Sequence, residues 1–254
     1  MTLPLSQTFG KGLQRTLSTT GLVVFVLTAV SQLLIVGATN TIVGGIIAER
    51  LPEATSAEIG FTLPVSVPVA TGITVGVALF ATVVFLVGTR LLTREQNELS
   101  TLPRSIFTRR IGRATLSGIG MSLILTPLIL LGMPLIIPGL FLAVSFQFGI
   151  FFIGVDDARA ISALRQSWRL ASGNRWRLLA ILVVFTIAAM AVGMITSIVS
   201  FIFPVAGQFV SVISMSAIVV LLYGVLAEAY LLLRDEPRNG QNSSRSTSTT
   251  IDPA

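Results

Sequence analysis

Residues Asp156 to Leu179 read DDARAISALRQSWRLASGNRWRLL. This is the longest conspicuously amphipathic segment in a chain otherwise made of apolar runs, and it holds five arginines, both tryptophans and a Gly-Asn break. A helix from Ala158 to Ala171 places Ile161, Leu164, Trp168 and Ala171 on one face at spacings of three and four. Arg165 and Arg169 flank that face and Arg159 lies further round. The pattern predicts an interfacial helix whose apolar stripe enters the headgroup region while guanidiniums meet lipid phosphates. Gly173 suits the left-handed residue that ends a helix, and Asn174 suits the N-cap of the next. Trp176, between Arg175 and Arg177, falls where an amphipathic ring is favoured, at the water–lipid boundary.

Outward from this stretch, the chain is membrane-like in composition. Its 254 residues are 53% hydrophobic and only 11% charged, with mean hydropathy +0.88. Soluble domains carry about a quarter charged residues. The absence of cysteine and histidine removes disulfides, thiolate nucleophiles, histidine acid–base work and the usual zinc ligands. No cofactor or metal site is expected, and no catalytic residue stands out.

Six apolar runs are long enough to span a bilayer, at about 21–47, 65–92, 114–135, 138–155, 176–201 and 209–233. The first is too long for a signal-peptide core, so it is read as an uncleaved span. Pro127 lies inside the third run, and Pro138-Gly139 restarts the chain after an uncharged turn. Residues 234–254, rich in Ser, Thr, Asn and Gly, are expected to form a disordered cytoplasmic tail. Of the 17 basic residues, all but Arg50 fall on one side of this six-span arrangement. By the positive-inside rule that side is the cytoplasm, which puts both termini there. The net charge of +6 is therefore read as topology, not nucleic-acid binding.

The fold class expected is an all-α integral membrane protein: six transmembrane helices in three hairpins, with amphipathic cytoplasmic lead-in helices. In the first lead-in Leu5, Phe9, Leu13 and Leu17 form a ridge, with Lys11 and Arg15 off it. Its pattern Phe9-x-Lys11-x-Leu13-x-Arg15-Thr16-Leu17-Ser18 echoes Phe107-x-Arg109-x-Ile111-x-Arg113-Ala114-Thr115-Leu116-Ser117, with one insertion. Shared physical constraints or duplication would each produce the echo. Gly72 and Gly76 form a small-xxx-small pair suited to close helix approach, within the chain or between copies.

Pro138-Gly139 opening a span, an acidic turn, and then Ser167-Trp168-Arg169-Leu170-x-x-Gly173-Asn174-x-Trp176-Arg177-Leu178-Leu179 opening the next resemble a family of polytopic membrane proteins. The family is typified by the membrane domain attached to some glycerophosphoryl diester phosphodiesterases, and the chain looks most like its stand-alone haloarchaeal-type members. The resemblance covers roughly Ala114 to Leu233. It implies a six-span helical fold and no enzyme, because the phosphodiesterase site belongs to a separate soluble domain.

Glu228 is the one acidic residue well inside a predicted span. Ionisable groups in lipid are functional candidates, and a coupling carboxylate, a structural ion pair with a cytoplasmic-side arginine such as Arg169 or Arg177, and a protonated carboxyl are the three readings. Asp156 and Asp157 are expected to cap the helix that follows, and Gln32 and Gln147 to hydrogen-bond between helices. The function expected is that of a non-enzymatic multi-pass protein of the cell membrane, acting as a scaffold or in envelope homeostasis through lipid or protein contacts. Anionic headgroups are its expected partners. The alternative is a permease or exporter for a small or lipid-like solute. The candidate interfacial residues are Arg159, Arg165, Trp168, Arg169, Arg175, Trp176 and Arg177. A topology anchor accounts for the arginines as well as a ligand site does, since each gains about 1 kcal/mol near an anionic leaflet.

Overall fold

The computed structural model describes residues 4–50, 60–94, 111–132 and 136–248. The described residues form nine helices and no strand. They are α1 (Leu5–Thr16), α2 (Thr19–Arg50), α3 (Val67–Leu92), α4 (Ile111–Gly132), α5 (Ile136–Phe146), α6 (Gly149–Asp156), α7 (Ala160–Ala171), α8 (Arg175–Ile202) and α9 (Pro204–Ser248). Six segments are long and apolar enough to cross a membrane: Thr19–Arg50, Val67–Leu92, Ile111–Leu128, Gly139–Asp156, Arg175–Ile202 and Pro204–Arg234. Arg104, Arg109 and Arg110 of the second expected lead-in lie outside the described residues. The last helix runs on to Ser248, through the polar stretch where the sequence predicts disorder.

Two boundaries differ from the sequence reading. The fourth segment is two helices, α5 and α6, separated at Gln147-Phe148. Carbonyls in the last turn of a helix have no partner within it, and the Ser145 carbonyl is satisfied by the Ser167 hydroxyl of α7 at 2.8 Å. The sixth segment starts at Pro204, five residues early, because Pro204 sits at the first helical position, where proline's missing N–H costs nothing. Only Phe203 separates α8 from α9.

α9 is the central element, touching α8, α1, α2 and α3, while α3 also packs on α2, α4 and α6. The main core gathers Phe148, Phe151 and Ile153 with Leu178, Ile181 and Tyr230. Tyr230 is ringed by Phe151 at 5.4 Å and Phe152 at 5.2 Å between centroids. This dense packing lies toward the ends of α6 and α9 and the start of α8. Further along α8, Ile187, Met194, Ile198 and Phe201 are exposed, the surface expected of a helix whose solvent is hydrocarbon. A Cβ on Gly72 or Gly76 of α3 would meet nothing within 4 Å among the described residues, so the close approach that their spacing suggests is not made among them.

The far end is tied by uncharged polar groups. The Phe61 N–H donates to Gln208 Oε1 at 2.7 Å, and Asn40 Nδ2 donates to the Phe61 carbonyl at 2.9 Å. From Gln208 to Glu228 the helix rises about 30 Å, the thickness of a bilayer's hydrocarbon core.

Candidate functional site

All the described ion pairs sit at the other end, and each joins different helices. Arg15 of α1 is buried. Its Nε donates to Glu228 Oε2 at 2.8 Å, and its Nη1 donates to the carbonyls of Leu92 at 2.9 Å and Arg94 at 2.5 Å. Lys11 Nζ adds a second cation 3.7 Å from Glu228 Oε1. One guanidinium thus holds a carboxylate of α9 and the last carbonyls of α3, where a cation is also favoured by the helix dipole. Arg90 of α3 donates to the Gly154 carbonyl at 2.6 Å and to Asp157 Oδ1 at 2.9 Å. Arg234 reaches Asp156 Oδ1 at 2.9 Å, and its Nη1 donates to the Tyr230 hydroxyl, which donates to Asp156 Oδ2 at 3.0 Å.

α1 reaches this position because its small face docks on α9. Thr8, Gly12 and Arg15 are buried there, whereas Leu17 of the expected ridge is 76% exposed. A Cβ on Gly12 would come within 2.6 Å of the Val225 backbone, and one on Gly224 within 2.7 Å of the Gly12 carbonyl. The backbones touch, and that closeness brings Arg15 to Glu228.

The second feature is the α7–α8 turn. α7 also packs by its small residues, Ala163, Ser167 and Ala171, the last of which belongs to the apolar stripe read from the sequence. Ile161 is exposed, and Trp168 packs sideways on Phe141 and Phe146, with ring centroids 5.4 and 5.6 Å away. Leu164 is partly buried against the core. Gly173 takes φ +93°, as the sequence predicts, and Asn174 is the N-cap of α8 by position but makes no side-chain capping bond. The Arg175 guanidinium lies 4.5 Å from the centroids of both Phe141 and Trp168. Beside it is a cleft of about 550 Å³ walled by Leu140, Phe141 and Val144 of α5 and by Trp176 and Leu179 of α8.

The sequence candidates therefore divide. Arg175 and Trp176 line the cleft, and Trp168 packs on Arg175 and Phe141 of its wall. Arg159 is at the N-cap of α7 and exposed, Arg165 and Arg169 are exposed on α7, and Arg177 is half-buried on α8. Glu228 is 3% exposed and pairs with an arginine, as one of its three sequence readings has it, but the arginine is Arg15 and not Arg169 or Arg177, the examples offered by the sequence. Asp156 and Asp157 bind Arg234 and Arg90 across helices instead of capping α7. The Gln147 Nε2 is buried without a partner among the described residues, so the expected interhelical bond from that atom is not made. Arg15, Arg90 and Arg234 were not singled out. An arginine two residues before the end of the second predicted span was the one available signal, for Arg90.

A family model for a domain of unknown function, DUF7847, matches residues 3–233. The chain belongs to this family. The match takes in the six membrane-length segments and both charged features except Arg234, which lies one residue beyond it, and it carries no link to the phosphodiesterase membrane domain. No curated protein and no solved structure matches the chain.

Proposed function

We propose that this protein is a non-enzymatic, multi-pass protein of the cell membrane that acts by contact, through anionic lipid headgroups or a protein partner, in scaffolding or envelope homeostasis. In this reading the six spans form three hairpins, each entered from the cytoplasm through a basic amphipathic lead-in, with both termini cytoplasmic. The observation that carries it is the state of Glu228: a carboxylate 3% exposed and bound by Arg15 is a fixed strut between helices. A coupling group has to meet solute or water. The resemblance to the phosphodiesterase membrane domain supports the architecture alone.

Lipid analysis of the purified protein tests the reading. Anionic lipid is expected to be enriched over the membrane of origin, and equally so in Glu228→Gln. A lipid profile matching the bulk membrane would overturn the lipid part of the reading and leave contact with a protein partner. Orientation is checked on the naturally cysteine-free chain: Ser172→Cys should react with an impermeant maleimide only from the cytoplasmic side, and Thr62→Cys only from the outside.

One observation favours the second reading, a permease for a small or lipid-like solute. The break between α5 and α6 falls within a span and leaves Gln147 Nε2 buried without a partner among the described residues, and discontinuous helices are common at transporter binding sites. Solute flux in proteoliposomes that is abolished by Glu228→Gln would decide for it.

A further inference from the structure

We propose that the cleft between α5 and the start of α8 binds a single anionic membrane lipid, its phosphate against Arg175 and an acyl chain along Leu140, Val144 and Leu179. The proposal rests on the lipid-contact reading above and gives that reading a site.

The chemistry is set by one unsatisfied cation in an apolar wall. Arg15, Arg90 and Arg234 each have a carboxylate partner. Arg175 has none among the described residues, and its Nε–H is buried without a hydrogen-bond partner there. Phe141 and Trp168 both lie at stacking distance from the guanidinium. The two rings, 5.4 Å apart and nearly perpendicular to each other, hold the guanidinium from one side and leave N–H groups for bonds to an anion, for which phosphate is well suited. The same position opens a 28-residue helix, whose first-turn N–H groups and dipole add to the pull on an anion. The rest of the wall is aliphatic and aromatic, and at about 550 Å³ the cleft is of ligand-binding size. A free phosphate ion would leave that wall empty, whereas a lipid fills both parts. Trp176, 85% exposed, stands at the rim.

Trp168 and Trp176 are the chain's two tryptophans; Trp176 lines the cleft and Trp168 packs on its lining residues Phe141 and Arg175, so the protein carries its own probe. The full chain is placed in nanodiscs of unlabelled phosphatidylcholine, with increasing fractions of brominated-chain phosphatidylglycerol or brominated-chain phosphatidylcholine. Quenching by the anionic lipid is expected to reach half-saturation at roughly fivefold lower mole fraction, the gain when one arginine meets a net-negative headgroup in place of a zwitterionic one. Arg175→Gln should abolish that difference. Arg113→Gln, the same change of charge elsewhere on the basic end, should preserve it. Arg175→Lys, which keeps the charge and loses the stacked plane, should retain most of it, whereas a purely structural arginine would not be rescued. Equal quenching by the two lipids in the parent protein overturns the site, as does a difference that survives Arg175→Gln. Anionic-lipid enrichment in the purified protein, with equal quenching at the tryptophans, would leave the general reading standing and remove only this site.

Discussion

Arg15→Ala is expected to lower the free energy of unfolding by about 3–5 kcal/mol, the loss typical when one member of a buried ion pair is removed. The substitution strands the Glu228 carboxylate on α9 with only Lys11, 3.7 Å away and half exposed, as a countercharge. It also frees the carbonyls of Leu92 and Arg94, so α1, α3 and α9 lose their common tie at once. Detergent-titrated unfolding, followed by tryptophan fluorescence, gives the measurement. Glu228→Ala should do similar damage by leaving Arg15 uncompensated. The double replacement Arg15→Met with Glu228→Leu should recover much of the loss, because two apolar side chains leave no buried charge behind. A loss below 1 kcal/mol in Arg15→Ala would mean that the pair is solvated and that Glu228 is free for other work.

Gly224→Val is the second large effect. A Cβ at that position would lie 2.7 Å from the Gly12 carbonyl and closer still to the Thr16 hydroxyl. The Thr16 side chain can rotate, but the carbonyl moves only if α1 moves. Overpacking of this kind costs about 1–3 kcal/mol, occasionally more. Here it acts twice, because pushing α1 off α9 also lengthens the Arg15–Glu228 contact. Combined with Arg15→Ala it should therefore cost less than the two separate losses added together. Strict additivity in the same unfolding assay would show that the helix contact and the ion pair are independent.

The spans were legible because they are written in composition: about twenty apolar residues in a row read the same way whatever they pack against. The segregation of arginine was legible for the same reason, and the Arg15, Arg90 and Arg234 pairs at one end of the bundle are consistent with it. Packing faces were not legible. In α1 and α7 the spacing shows which side chains share a face but not which face meets the bundle: both helices dock by small residues, Gly12 in one and Ala163, Ser167 and Ala171 in the other, with Leu5, Phe9 and Leu164 packed beside them. In lipid, greasy side chains gain little by turning inward, and small ones let backbones meet. The break at Gln147-Phe148 was hidden because no proline marks it, and the Ser167 hydroxyl that accommodates it comes from another helix. The partner of Glu228 lies 213 residues away, beyond any local pattern. The cleft was half legible: Gly173, Asn174 and Trp176 located the helix start, while the ring contacts of Arg175 depend on Phe141 from a different span.

The joining of α1 to α9 bears on the order of events during synthesis. The ribosome delivers Arg15 long before Glu228, so the chain's first helix waits through the insertion of five membrane segments for the last one. A charged residue raises the cost of inserting a helix by up to about 3 kcal/mol when it must enter unaided. For α9 the countercharge is already in place when Glu228 arrives. The pair therefore closes only when the last segment is in place; until then Arg15 has the carbonyls of Leu92 and Arg94 but no carboxylate.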